Sequence, residues 1–466
     1  MTEGRTESLQ SRLHGSIKRR IRGRFMADSL KLAVAGLGTV GTGLLDLLAE
    51  RGEAIAERIG RRLEVVAVSA RTRDKARGGH DLAGYRWFDD PVALAADANA
   101  DVFVELIGGE ADPAKAAVEQ ALKGGRHVVT ANKALIARSG TALARLAEAA
   151  GVTLGFEAAV AGGIPVVKTM RESLAGNEID RVFGILNGTC NYILTKMALE
   201  GREFHDVLNE AQALGYAEAD PTFDIGGFDT AHKLAILTSL AFGTEVALDA
   251  IYVEGIEAVT IEDIRNAHDL GYKIKLLGVA ARTEDGIEQR VHPTLVRKGS
   301  PIADVDGVFN AVAIKGSFAG DLMLEGRGAG ARPTASSVVA DICDIARGVQ
   351  VCAFGVPARQ LKPYRRARMR AHEGGYYVAL ELHDRPGEVA AVARILADEK
   401  ISIASIVQRA RGSLELNGPR PSPRDTAPFI LITHDTLESA MRRALETIVD
   451  QGHAVAKPRM IRIERL

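Results

Sequence analysis

Leu30-Lys31-Leu32-Ala33-Val34-Ala35-Gly36-Leu37-Gly38-Thr39-Val40-Gly41-Thr42-Gly43-Leu44-Leu45 passes from a short apolar segment, through spaced glycines, into helical periodicity. Residues 31–35 predict a strand, and Leu44, Leu45, Leu47 and Leu48 recur at the spacing of one helix face. The G-x-G-x-x-G between them suits a strand that turns at once into a helix. The first glycine permits the turn, the second lets backbone approach a pyrophosphate, and the third lets helix pack on strand. The helix N-terminus adds N–H donors and the positive end of its dipole. Gly36, Gly38, Thr39, Val40 and Gly41 are therefore candidate cofactor contacts. A glycine turn of this kind also occurs in other α/β proteins, so the neighbouring chain has to agree.

It does, in both directions. A second strand over residues 63–69 ends where an adenosine ribose would lie, and no Asp or Glu stands there to accept a 2′-hydroxyl. Arg71, Arg73 and Lys75 follow instead, a cationic group suited to the 2′-phosphate of NADP. The plain alternative is a solvated basic loop, so Arg71 favours NADP and leaves NAD open. Further strands are expected over 102–107 and 127–130, the latter running into Ala131-Asn132-Lys133 at its C-terminal end, where open parallel sheets place ligands. The first residues, through Lys18-Arg19-Arg20, are basic and lack an apolar core, which predicts a disordered tail over 1–29. A mitochondrial-type presequence stays open, as does a true start at Met26.

Composition narrows the function classes. The 466 residues are 46% hydrophobic and 26% charged, the balance of a soluble globular chain with about two to four domains. A formal net charge of −1 advertises neither nucleic acid nor a membrane surface, so charged ligands must be recognised locally. Cys190, Cys343 and Cys352 have no C-x-x-C spacing, which argues against disulfides and zinc and suits a reducing, cytoplasmic setting. No apolar run reaches the roughly 18 residues that a spanning helix needs.

The middle of the chain changes character. Residues 153–165 read as a strand running into a glycine turn and a proline-started helix, a domain junction. Asn187-Gly188-Thr189-Cys190-Asn191-Tyr192 is a polar turn ahead of a helix from Ile193, with N-cap character. Gly215-Tyr216-Ala217-Glu218-Ala219-Asp220-Pro221 leads to Phe223-Asp224-Ile225-Gly226-Gly227-Phe228-Asp229-Thr230-Ala231-His232-Lys233. Asp229 and Lys233 are four apart and share a helix face. The helix goes on apolar nearly all round, so it is expected to be buried, and a buried lysine needs a reason. The bland reading is a surface ion pair worth at most about 0.5 kcal/mol.

These segments, with Asn132-Lys133, residues 157–165 and Gly328-Ala329-Gly330-Ala331-Arg332-Pro333-Thr334-Ala335, resemble homoserine dehydrogenase from about residue 30 to 355. The resemblance implies reversible reduction of aspartate 4-semialdehyde to homoserine, on the route to threonine, methionine and isoleucine. It implies Lys233 as proton donor and acceptor, Lys133 between cofactor and substrate, and Glu218 and Asp229 as substrate-binding carboxylates. Gly215 and Gly328 match positions whose backbone approaches the cofactor, a job for residues without Cβ. Glu157, Val160, Gly162 and Ile164 match a structural site for a monovalent cation such as sodium. The chemistry is consistent: hydride delivery to an aldehyde builds charge on oxygen, which a positioned lysine can neutralise. Which lysine titrates stays open, as does dimer against tetramer, although the family pairs through its middle domain.

Beyond Gly355 an arginine-rich linker over 356–374 precedes a new pattern. Strand 376–382, the turn His383-Asp384-Arg385-Pro386-Gly387 and helix 388–399 start a βαββαβ unit that resembles an ACT domain. Its later elements are strands at 401–410, 428–434 and 454–463 and a helix at 436–451, with 412–427 as a mobile hairpin loop. Such domains bind small amino acids at domain interfaces, which predicts threonine as inhibitor; a dimerisation module is the alternative. The expected architecture is a Rossmann-type parallel sheet over 30–150 with 325–355 packing back on it, an α+β catalytic and dimerisation domain over 151–324, and the ACT unit over 375–466. Two competing readings remain. A 3-phosphoglycerate dehydrogenase pairs similar domains but resembles a different His/Arg/Glu arrangement, and an inert amino-acid sensor would not need Lys133, Asp229 and Lys233.

Overall fold

The structure is a computed structural model that describes residues 29–367, 373–408 and 426–464. The expected N-terminal tail, apart from Ser29, and nearly all of the 412–427 loop lie outside the described residues. The chain divides into two compact units, one built from residues up to 176 with 243–247 and 327–363, the other from 177–242, 248–326 and 364–466. Among the described residues no helix is long and apolar enough to cross a membrane.

In the first unit six strands form one parallel sheet: β1 (Leu30–Ala35), β2 (Leu63–Ser69), β3 (Arg86–Phe88), β4 (Val102–Glu105), β5 (His127–Thr130) and β6 (Leu154–Gly155). Their order is β3-β2-β1-β4-β5-β6, with every pair parallel. This is the doubly wound order, whose reversal between β1 and β4 opens a crevice at the strands' C-terminal ends. Parallel strands covered on both faces are apolar throughout, and Leu32, Val34, Val68, Val102, Val104 and Val129 are all buried. Leu44 and Leu45 of the helix Thr39–Ile59, and Ala335, Val338 and Ile342 of the helix Ala331–Ala346, close the same core. The late helix thus returns to the first sheet.

The second unit is built on an 11-stranded sheet. Its strands are β7 (Ile179–Ile185), β8 (Tyr252–Val253), β9 (Tyr272–Thr283), β10 (Gly286–Arg297), β11 (Phe309–Gly316), β12 (Gly320–Arg327), β13 (Glu373–His383), β14 (Ile403–Gln408), β15 (Thr426–Thr433), β16 (Thr436–Leu437) and β17 (Arg459–Glu464). The main path is β12-β11-β7-β9-β10-β17-β13-β15-β14. The βαββαβ pattern is therefore present, with the helices Glu388–Asp398 and Glu438–Asp450 packed over a core of Tyr376, Val378, Leu431, Met441 and Ile448.

The C-terminal module shares the sheet of the second unit, because β17 sits between β10 and β13 and pairs with β10 through Thr294↔Arg462 to Val296↔Glu464. Buried charges fasten that seam. Across it Glu464 takes ion pairs from Arg181 and Arg290 and Arg462 reaches Glu254 at 3.3 Å, while within the module Arg462 bonds Glu438 twice at 2.8 Å. In the stretch 356–374 Glu148 accepts the Ala358 amide, Lys362 bridges Thr244, and Arg366 bridges Ile287, so its described part is paired at several points.

Candidate active site

The glycine turn of the first unit has the geometry that its spacing predicts. Gly36 has φ +99°, and a Cβ there would meet the Leu106 carbonyl oxygen at 2.4 Å; one on Gly41 would lie 2.1 Å from the Gly36 oxygen. A Cβ on Gly38 meets nothing within 4 Å among the described residues, so the space a dinucleotide backbone needs lies beside the middle glycine. Thr39 and Val40 open the helix there, and its N-cap Gly38 provides no side-chain hydrogen bond, which leaves the first-turn N–H groups to other acceptors. The residues present fit a dinucleotide.

Arg71 and its neighbours lie exposed just past β2, on a loop folded around one residue the sequence reading passed over. Arg77 is buried and donates to the Arg73 carbonyl at 3.0 Å, the Lys75 carbonyl at 2.7 Å and the Thr72 carbonyl. Arg73 and Arg77 both lie over the Trp87 ring, at 5.6 and 5.8 Å. The basic cluster is thus held in shape from within.

Lys133 is the first residue of the helix Lys133–Ala150, half-buried at the C-terminal end of β5. A buried carboxylate organises that end. Glu105 accepts the Ile107 and Gly108 amides at 2.8 and 3.0 Å and the Thr130 hydroxyl at 2.5 Å. Thr130 in turn accepts the Asn132 amide, and Asn132 caps the helix through Leu135 N–H at 3.1 Å while donating to the Gly109 carbonyl. Glu105 closes an ordinary-looking strand, and nothing in its pattern marked it.

The segment 157–164 is compact and buried. Both Glu157 oxygens are engaged by amides, Val167 N–H at 2.9 Å and Lys168 N–H at 2.8 Å. Burial, then the nearby Asp341 carboxylate, pushes the Glu157 carboxyl up to about 7 against those amide protons. Ala161 and Gly162 have φ of +54° and +53°, consecutive left-handed residues that curl the carbonyls of 160–164 into a tight turn. Gly162 approaches Gly328 so closely that a Cβ would stand 2.4 Å from the Gly328 oxygen, and Ser337 Oγ donates to the Gly162 carbonyl at 2.6 Å. Val160 and Ile164 are buried beside it. The donor set assigned here, one carboxylate and backbone carbonyls, is of the oxygen kind that a hard monovalent ion takes.

The second unit holds the lysine network. The helix Phe228–Phe242 is buried almost all round, and Lys233 and Asp229 are 8% and 3% exposed, which excludes the surface ion pair. Lys233 Nζ donates to Asp229 Oδ2 at 2.7 Å and to the Leu186 carbonyl at 2.7 Å. Asn187 Nδ2 donates to the same Asp229 oxygen at 2.8 Å and to Asp224 Oδ1 at 2.8 Å, while its Oδ1 accepts the Cys190 amide. Asn187 is indeed a cap, but the helix it starts is Gly188–Glu200, five residues earlier than the apolar pattern indicates. Asp224 was within the quoted motif and carries a role that spacing did not reveal. Gly215, at φ +74° with open space where a Cβ would be, and the exposed Glu218 lie on the loop after the helix Phe204–Ala213. Thr189 Oγ donates to the Tyr216 carbonyl at 2.7 Å and Gln212 Nε2 to the Glu218 carbonyl at 2.9 Å, tying that loop down. The structure does not draw the Glu218 carboxylate itself into the Asp229–Lys233 network.

A doubly wound sheet with an open glycine turn, together with a buried acid-anchored lysine, defines a nicotinamide-dependent oxidoreductase with a C-terminal ACT domain. Family profiles described as homoserine dehydrogenase, its NAD binding domain and the ACT domain match residues 165–343, 36–157 and 376–447. The chain belongs to the homoserine dehydrogenase family, and is a homoserine dehydrogenase by activity class. It is 44% identical over 447 residues to the enzyme of Neisseria gonorrhoeae, covering 94% of this chain and 99% of that one. A homoserine dehydrogenase structure from Thiobacillus denitrificans superposes with a TM-score of 0.86 at 44% identity, covering 94% and 98%. A hyperthermophilic archaeal homoserine dehydrogenase solved in complex with NADPH matches at TM-score 0.58 and 28% identity, covering 68% of this chain and 97% of that one.

Proposed function

We propose that the enzyme reversibly reduces L-aspartate 4-semialdehyde to L-homoserine with NADPH, within threonine, methionine and isoleucine synthesis in the cytoplasm. The observation that carries the mechanism is the double anchoring of Lys233 Nζ on Asp229 and the Leu186 carbonyl. The nicotinamide, when bound, supplies the hydride. Lys233 gives a proton to the carbonyl oxygen as charge gathers there, and takes it back from the homoserine hydroxyl in the reverse direction. Asp229 keeps the ammonium form favoured in a buried setting and fixes its direction. Glu218 and Asp229 are the acceptors assigned to the substrate ammonium.

Gly36, Gly38, Thr39, Val40, Gly41, Gly215 and Gly328 are assigned to the cofactor, with Lys133 on its nicotinamide side. Arg71 is assigned to the 2′-phosphate, a reading supported by the internally braced loop and by the NADPH bound to the archaeal relative. Glu157, Val160, Gly162 and Ile164 are assigned to a structural sodium ion, and the active species to a homodimer or homotetramer. Threonine is assigned as the inhibitor, on the strength of the ACT domain. The deciding assay follows absorbance at 340 nm with homoserine and NADP or NAD. Lys233→Ala is expected to lower kcat by about 10²-fold or more. Wild-type turnover in that variant would move the proton transfer to Lys133, and a full-length enzyme indifferent to threonine would remove the inhibitor assignment.

A further inference from the structure

Asn310, the second residue of β11, is 1% exposed and stands directly behind the lysine. Its Nδ2 donates at 2.9 Å to the Leu186 carbonyl, the same oxygen that receives Lys233 Nζ at 2.7 Å. The amide's orientation follows from chemistry, since turning the other end inward would set one acceptor oxygen against another. That leaves Oδ1 buried without a hydrogen-bond partner among the described residues. It faces Gly188, where an added Cβ would stand 3.5 Å away. A buried acceptor left in this state lowers stability, and an apolar side chain of similar shape would remove the penalty. The fold does not need the amide either, because β11 is held to β7 by its backbone ladder from Ala311↔Ile185 onward. A polar group kept at the expense of the fold points to the chemistry beside it.

We propose that Asn310 is a positioning residue for the proton-transfer lysine. The Leu186 oxygen has two lone pairs, and Asn310 and Lys233 take one each. When Lys233 passes its proton to the substrate oxygen it loses one donor hydrogen, and its hold on that carbonyl weakens. Asn310 has no part in the transfer, so it keeps the carbonyl aimed while the lysine alternates between ammonium and amine. Nζ then returns to the same point for each turnover. The inference rests on Lys233 as the proton-transfer group, and its test separates the two.

The full-length chain is made as wild type, Asn310→Leu, Lys233→Ala and the double variant, and kcat, KM and Tm are measured for each. Asn310→Leu is expected to lower kcat about 10-fold, with KM for homoserine and NADP within about 2-fold and Tm unchanged or higher. In the Lys233→Ala background the same change is expected to cost nothing further, because its effect passes through the lysine. Unchanged kcat in Asn310→Leu beside a crippled Lys233→Ala overturns the proposal alone. An equal loss in both backgrounds also overturns it, since the amide would then act elsewhere. Full activity of Lys233→Ala brings down the lysine assignment and the proposal with it. Should the leucine chain fail to fold, Asn310→Ala removes the amide without demanding a fit, and the same kcat-against-KM split and non-additivity decide.

Discussion

Asp229→Asn removes a charge from the centre of the site while keeping the size of the side chain. Asp229 is 3% exposed, and its Oδ2 receives Lys233 Nζ at 2.7 Å and Asn187 Nδ2 at 2.8 Å. An asparagine has the same shape, and its single oxygen can take the place of Oδ2 and accept both donors, so the packing of the helix Phe228–Phe242 is preserved. The Asn187 bond falls from the range of a charged acceptor, about 1.5–3 kcal/mol, to the neutral range of about 0.5–1.5, while the Lys233 bond keeps its charged donor and loses its ion-pair part. The difference, about 1–2 kcal/mol, corresponds to roughly 5- to 30-fold in kcat/KM. Homoserine oxidation at 340 nm reads it directly, and in a Lys233→Ala background the further loss should vanish. A variant within 2-fold of wild type (about 0.4 kcal/mol) would refute the idea that the carboxylate's charge holds the lysine. A KM for homoserine that rises while kcat stays level would move Asp229 wholly to the substrate ammonium.

Three other expectations concern the seam and the cofactor. Arg462→Met leaves the buried Glu438 with Arg442 alone of its two arginines and should cost about 1.5–3 kcal/mol in urea unfolding, below the roughly 3–5 kcal/mol of a wholly uncompensated buried charge, with Glu438→Leu added to it recovering part of the loss; no loss in the single variant would show that the C-terminal module does not depend on this pair. Burial raises the Glu438 carboxyl, but Arg462 and then Arg442 outweigh it and hold it at about 2 instead of 4.5. Its contribution to stability is therefore complete above pH 4.5 and fades as pH falls toward 2, so an acid titration followed by circular dichroism should show a smaller loss over that window in Arg462→Met than in wild type. Arg71→Ala should narrow the preference for NADP over NAD, read as the ratio of the two kcat/KM values, and an unchanged ratio would leave the 2′-phosphate without its assigned partner.

Much of this protein is local, and the local part was readable. The order strand, glycine turn, helix follows from side-chain size and periodicity within about fifteen residues, which is why Gly36 to Gly41 and the four-residue spacing of Asp229 and Lys233 could be placed before any contact was known. Boundaries went less well where a cap and an apolar stripe disagree, as at Asn187, because the first turn of that helix is made of polar residues. Asp224, Arg77, Glu105 and Asn310 carried no signal. Each acts by holding backbone or side chains brought to it by the fold, and an isolated polar residue in a sequence looks the same whether it meets water or a carbonyl.

The sequence by itself determined the class of fold, the cofactor turn and the acid–lysine helix, since each depends on neighbours along the chain. Tertiary structure alone decided that the lysine is buried, that its second anchor is the Leu186 carbonyl shared with Asn310, and that Gly162 meets Gly328. It also decided that the C-terminal module continues the sheet of the second unit through β17, fastened by Glu464 on Arg290 and Arg462 on Glu254. These facts join residues 124, 166 and 174 positions apart, and hydrogen-bond registers between such distant strands are set by which edges remain to be paired once everything else has packed.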